Sequence, residues 1–285
     1  MTSRSQRFPL EGAHEAKLPP LQRKLLAWGT RKSVRGGVKG ILLEGEKLVE
    51  EALASGHPLK AVWFTDDVRR NRPDIIKRLE ESGTTMLPMS ARTMRQVSDL
   101  DTPPGIAAVG PEPHFLPRHP GAPFSLIVAL PLIQDPGNLG GIIRTADYFG
   151  VDELWLGKGS ADPFAPKVLR GAMGASFRLA AMRFDDLPTR LAAFQRQGAA
   201  VWAAVAHGED AKPEIEATGA RILLLGGESR GLSREYLDRA DYRVMIPGAQ
   251  RGESLNLMVA AGILIYTATF GRLPMMDRMI GKQTA

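Results

Sequence analysis

The chain contains no cysteine in its 285 residues. Disulfides and thiolate metal sites are therefore excluded. Its five histidines (His14, His57, His114, His119 and His207) include no His-x-x-x-His pair, and no metal is expected. A Gly-x-Gly-x-x-Gly loop is also missing. The nearest approach to a P-loop is Gly281-Lys282, but Gln283 takes the place of the Ser/Thr and Met276 that of the first glycine. A dehydrogenase or NTPase of standard type is thereby disfavoured. The first residues lack the apolar core of a secretory leader. The apolar stretch Leu255–Phe270 is too short to span a bilayer and contains Asn256, Thr267 and Thr269, so it reads as a buried helix. A reducing, cytoplasmic setting without membrane contact is the expectation.

The positive charge is concentrated at one end. Residues 1–40 hold nine Lys/Arg against Glu11 and Glu15, a surplus of seven. The whole chain has a surplus of six, so the remainder carries one net negative charge. A basic block of this kind favours phosphate polyanions through counterion release. The same block also suits a solvated tail.

Composition divides the chain into four stretches. Residues 1–39 are a polar, basic extension. Residues 40–110 carry a compact α/β pattern: strands over Ile41–Glu44, Ala61–Thr65 and Gly105–Val109, and helices over Glu46–Ser55, Pro73–Ser82 and Ala91–Leu100. Residues 111–123 hold Pro111, Pro113, Pro117, Pro120 and Pro123 and read as a linker. Residues 124–285 form a second α/β unit. Its strands are read at Ser125–Ile133, Glu153–Leu156, Ala200–Ala206, Arg221–Leu225 and Tyr242–Ile246. Its helices are read at Asn138–Phe149, Ala165–Met173, Leu187–Gln197, Ser233–Ala240 and Ser254–Phe270. Continuous apolar runs such as Ile222–Leu225 suit a buried parallel sheet.

Three segments stand at predicted strand ends. The first is Asp135-Pro136-Gly137-Asn138-Leu139-Gly140-Gly141-Ile142-Ile143-Arg144. Here Pro-Gly breaks the strand and Asn138 is a good helix N-cap. The second is Gly226-Gly227-Glu228-Ser229-Arg230-Gly231-Leu232, directly after the buried run. The third runs from Ile246-Pro247 through a polar loop to Ser254-Leu255-Asn256, with Ser254 as the N-cap. Any one of them suits a simple turn or cap. A parallel sheet, however, gathers its strand carboxyl ends on one edge. A single cleft would then hold a cation (Arg144), an acid (Glu228), two amides (Asn138 and Asn256) and a hydroxyl (Ser254). The glycines would let a ligand touch backbone directly.

Taken in order, these segments resemble the three motifs of the SpoU (TrmH) family of RNA ribose 2′-O-methyltransferases. The resemblance covers residues 124–270. It extends more weakly to Glu44-Gly45-Glu46 and Thr102-Pro103-Pro104-Gly105-Ile106, which look like the family's N-terminal substrate-binding domain. It implies a parallel α/β sheet with helices on both faces and a C-terminal trefoil knot (SPOUT-like), plus a small N-terminal α/β domain. The general rarity of knots argues the other way. The resemblance also implies a homodimer, S-adenosylmethionine as methyl donor and RNA as substrate, with ribosomal RNA favoured over transfer RNA. Gly226, Ile246 and Leu255 match the donor-binding positions. Asn138, Arg144, Glu228, Ser254 and Asn256 match the catalytic set. Gly248 and Met258 depart from the family pattern, which touches loop and helix packing more than chemistry. Two other readings stand beside this one: a non-catalytic RNA-binding relative, and a knotted methyltransferase acting on a base. The role of Arg144 stays open between proton acceptor and phosphate anchor.

Overall fold

The computed structural model describes residues 18–30, 39–98, 100–206, 219–227, 231–247 and 255–269. They fall into two compact units. The first comprises the chain up to His114 together with Phe164–Phe177, and the second comprises Phe115–Pro163 and everything from Arg178 onward.

In the first unit α1 (Pro20–Thr30) precedes β1 (Gly40–Glu44), α2 (Glu46–Ala54), β2 (Ala61–Phe64), α3 (Asp66–Asn71), α4 (Pro73–Glu81), β3 (Thr85–Pro88), α5 (Ala91–Val97) and β4 (Ile106–Pro111). The sheet order is β1-β4-β2-β3. β4 runs antiparallel to both its neighbours, and β2 and β3 are parallel. Helix α4 shows why its sequence chose this form. Pro73 occupies the first turn, where its missing N–H costs nothing. Ile75, Ile76 and Leu79 then fall on one buried stripe. Helix α7 (Pro166–Ala172) returns from later in the chain to join this unit. Its Arg170 reaches the buried Glu44 at 3.5 Å, and Ser98 Oγ donates to the same carboxylate at 2.6 Å. A carboxylate buried at a strand end needs such partners.

The second unit is built on β5 (Leu126–Leu130), β6 (Glu153–Gly157), β7 (Ala180–Phe184), β8 (Ala200–Ala204), β9 (Arg221–Leu224) and β10 (Tyr242–Val244). Its six strands lie in the order β10-β8-β9-β5-β6-β7, and every neighbouring pair is parallel. Helices α6 (Pro136–Tyr148), α8 (Leu187–Gln195), α9 (Arg234–Leu237) and α10 (Leu257–Thr269) accompany it. The central strands β5, β6 and β9 are buried at every position. A parallel sheet covered on both faces needs such apolar runs. Trp155, Phe184 and Phe194 pack edge to face beside it, with ring centroids 4.8–5.8 Å from Trp155. The Arg190 guanidinium lies over all three rings at 4.2–5.0 Å. Burial holds its pKa below the usual value for arginine, while the nearby Glu153 acts in the opposite direction.

Candidate functional site

The carboxyl ends of β5 and β9 are neighbours, and the backbone locks them together. Leu225 N–H donates to Ala129 O at 2.9 Å. Beyond β5 the chain is fixed by two bonds: Ile133 N–H to Ser160 Oγ at 3.2 Å and Ala161 N–H to Ile133 O at 2.7 Å. The loop after β5 thus has a set shape before α6 begins.

Helix α6 starts earlier than its sequence suggests. Asp135, not Asn138, is the N-cap: Asp135 Oδ1 accepts from Asn138 N–H at 2.7 Å, and Pro136 takes the first helical position. Asp and Asn cap about equally well. The proline decides the matter because its fixed φ suits the first turn and it needs no donor there. The Asn138 side chain is thereby released from capping. It meets Asn256, whose Nδ2 lies 3.4 Å from Asn138 Oδ1.

Helix α10 also begins at an unexpected place. Asn256 is its cap, with Oδ1 accepting from Met258 N–H at 2.8 Å and Val259 N–H at 3.4 Å. Ser254, expected in that role, lies outside the described residues, as does Glu228. α6 and α10 then run side by side in the same direction. Asn138 faces Asn256. A Cβ on Gly141 would sit 2.1 Å from Met258 Sδ. Gly262 faces Thr145, and Phe149 meets Tyr266 with ring centroids 5.7 Å apart. Glycine at 141 is what permits this close approach.

The second segment is pinched at its base. Gly227 and Gly231 exchange backbone hydrogen bonds of 3.2 and 3.0 Å, closing the loop between them. A Cβ on Gly226 would lie 2.3 Å from Gly231 C, and one on Gly227 would lie 3.2 Å from Leu132 O. The Gly226 loop, the turn after β5 and the start of α10 therefore share one edge of the sheet. Ile246, two residues beyond β10, is half-buried, whereas Leu255 is exposed.

Arg144 lies on the exposed shoulder of α6 and makes no hydrogen bond or ion pair among the described residues. One turn further on, Asp147 is held by Arg178, with Nη2 to Oδ2 at 2.7 Å and Nε to Oδ2 at 3.1 Å. Among the described residues no cluster of His, Asp and Glu could hold a metal ion, and no helix is long and apolar enough to cross a membrane.

The first unit carries a groove that motif reading did not reveal. It is a cavity of about 350 Å³ between the start of α3, α5 and the loop before β4, and its lining includes Thr65, Asn71, Met94 and Asp101. The Thr102–Gly105 segment and Glu46 on its rim gave the signal in the sequence.

Close-packed backbone of the Gly226 loop lies at the carboxyl edge of a parallel α/β sheet, in a chain that carries a second, smaller α/β unit. Comparisons with known proteins agree. A model described as the SpoU rRNA Methylase family matches residues 125–266, and one for RNA 2′-O ribose methyltransferase substrate binding matches residues 42–116. The chain belongs to the SpoU family. The 23S rRNA (guanosine(2553)-2′-O)-methyltransferase RlmP of Bacillus subtilis is 34% identical over 82% of this chain and 90% of its own length. An uncharacterized tRNA/rRNA methyltransferase of Synechocystis is also 34% identical, over 80% of this chain and 83% of its own. Among solved structures, an AdoMet-bound rRNA methyltransferase from Sinorhizobium meliloti superposes with a TM-score of 0.74 at 28% identity, covering 89% of this chain and 95% of that one.

Proposed function

We infer that this protein transfers a methyl group from S-adenosylmethionine to a ribose 2′-hydroxyl of RNA, and we propose that the RNA is ribosomal. The observation that carries this reading is the convergence of the Gly226 loop, the Asn138 end of α6 and the Asn256 cap of α10 on one sheet edge. Gly226, Ile246 and Leu255 would hold the donor. Bound there, the donor supplies an electrophilic methyl group on a sulfonium. The protein's share of the work is placement. Holding hydroxyl and methyl in line is worth on the order of 7–11 kcal/mol at best.

A guanidinium is a poor base. An unpaired guanidinium is well suited to a phosphodiester, which it grips with two N–H groups. We assign Arg144 that role, with the 2′-hydroxyl made more acidic by the adjacent positive charge. Asn138, Ser254 and Asn256 would fix ribose and backbone, and Glu228 would orient the polar cluster.

The protein is further proposed to act as a cytoplasmic homodimer with a C-terminal trefoil knot. Helix α10 is apolar all round, and one face is bare in the single chain. Val259, Ile263 and Tyr266 are 45, 40 and 45% exposed. Such a stripe normally marks an interface. Preference for ribosomal RNA rests on the B. subtilis relative and on the basic first forty residues. The test is a map of 2′-O-methyl nucleotides in ribosomal RNA from a strain lacking the gene. Loss of one mark, restored by the native gene and not by an Arg144→Ala copy, is expected. An unchanged ribosomal map would contradict the substrate assignment.

A further inference from the structure

The groove in the first unit has the composition of a binding site with no assigned ligand. Its walls are apolar where they are deepest, with Val68 and Met94 5 and 2% exposed, and Pro103 beside them. Thr65 is 5% exposed. It stands at the N-cap of α3, yet its hydroxyl makes no capping bond. A Thr in that position ordinarily accepts from the first turn. Here the hydroxyl lies against the loop before β4, where a Cβ on Gly105 would come within 2.9 Å of it. Three acids border the groove, but two are engaged: Glu46 by Arg72 and Asp67 by Arg70. Asp101, Asn71 and Arg95 have no hydrogen-bond or ion-pair partner among the described residues.

We propose that this groove receives one unstacked base of the RNA substrate and prefers a base bearing an exocyclic amine over uracil. The proposal rests on the RNA methyltransferase reading above and deepens it. A groove with an apolar wall of Val68, Met94 and Pro103 suits a base face, and sequence-specific RNA readers take up splayed bases in this way. Asp101 is acceptor-only, so it needs an N–H donor. Cytosine, adenine and guanine present an amine on the pairing edge. Uracil offers only its ring N3–H there, flanked on both sides by carbonyl oxygens that repel the carboxylate. The Asn71 amide can donate to the neighbouring ring acceptor, and the Thr65 hydroxyl can do either. Arg95 is placed to meet the phosphate. The net negative lining argues against a site for phosphate alone.

The test uses the full chain and fluorescein-labelled ten-residue ribo-oligomers of A, C and U, read by anisotropy at one salt concentration. The native chain should bind the A and C oligomers roughly fivefold or more tightly than the U oligomer. Asp101→Asn should erase that preference. Thr65→Val should weaken A and C binding severalfold with an unchanged unfolding temperature, because no capping bond is lost. Equal binding of the three oligomers by the native chain would overturn the proposal. So would an Asp101→Asn chain that tightens on all three alike, as simple loss of a negative charge would produce. No step of this assay needs methyl transfer, so its failure is distinguishable from failure of the enzymatic reading.

A separate observation concerns Arg144. Residues three apart on a helix are neighbours, and Asp147 is the natural ion-pair partner of Arg144 on α6. Arg178 occupies that carboxylate instead, through two N–H groups. We infer that Arg178 is a positioning residue that keeps Arg144 free for RNA. Arg178→Gln should lower kcat about tenfold, less than the roughly 10²–10³ lost with a direct electrostatic contact because Arg144 itself remains, with S-adenosylmethionine affinity unchanged. Adding Asp147→Asn to it should restore most of the loss, since the competing carboxylate is gone. A purely structural role for the Arg178–Asp147 pair predicts no rescue, and that result would overturn the inference.

Discussion

At the scale of single residues, the site is built from groups whose usual tasks have been taken over by others. Asp135 caps α6 and so releases Asn138. Asn256 caps α10 through its oxygen and turns its nitrogen toward Asn138. Among the glycines of the three segments, Gly226 leaves a side chain least room to adjust, because the obstacle is backbone of the same loop. Gly226→Ala must open the Gly227–Gly231 pinch. Calorimetry should show S-adenosylmethionine binding weakened about tenfold or more, equivalent to about 1.4 kcal/mol, with a smaller change in unfolding temperature. His57 gives a pH signature far from the chemistry. Its ring packs at a tilt against Phe177 and Nε2 lies 2.9 Å from Pro111 O. Burial pushes its pKa below the usual 6.5, against the opposing effect of the Pro111 carbonyl. The unfolded chain therefore takes up a proton first as pH falls. The stability due to neutral His57 is present above about pH 6.5 and is lost as pH drops through that value toward the lower folded pKa. Melting curves between about pH 7.5 and 5.5 should show a smaller decline for His57→Gln than for the native chain.

At the scale of elements, α6 joins recognition to packing. One side of it meets α10 through Asn138, Gly141, Thr145 and Phe149, and its shoulder carries Arg144. Removing its cap should be felt at both. Asp135→Ala should cost about 0.5–2 kcal/mol in unfolding free energy, and calorimetry in denaturant would measure it. The sequence made most of this unit legible because buried parallel strands read as continuous apolar runs and their helices repeat at helical spacing. β3 and β7 escaped notice for a physical reason. Both are edge strands: β3 is exposed at both ends and closes on Pro88, and β7 is buried only at Ala181. Neither shows the burial pattern that marks a strand. The six-residue α3 was missed because Val68 is its single buried residue, too few for a period to show. The helix starts moved because cap preference among Asp, Asn and Ser is nearly flat, and Pro136 settles it for α6. Nothing in the composition of residues 164–177 showed that this segment packs with the first unit. That depends on distant pairings such as Arg170 with Glu44 and Phe177 with His57.

At the scale of the whole molecule, a unit matching the family's substrate-binding model and a unit matching its methylase model share one chain, and the exposed face of α10 is proposed to meet a second copy. Val259→Glu with Tyr266→Glu should convert a dimer to monomer in analytical ultracentrifugation and reduce turnover, since two buried charges without partners are not tolerated at such an interface. A chain that is monomeric before the change would remove the basis for that expectation. The central claim is more local: three strand-end loops hold the methyl donor while Arg144 grips the RNA. Its most direct measurement pairs two readings on one variant. With tritium-labelled S-adenosylmethionine and ribosomal RNA, the native chain should place label on a ribose 2′-oxygen. Arg144→Ala should lower that rate by about 10²–10³, while its calorimetric affinity for the donor stays within about twofold of native. Label on a base, or an Arg144→Ala chain that loses donor binding yet still transfers methyl at the native rate, would contradict the account.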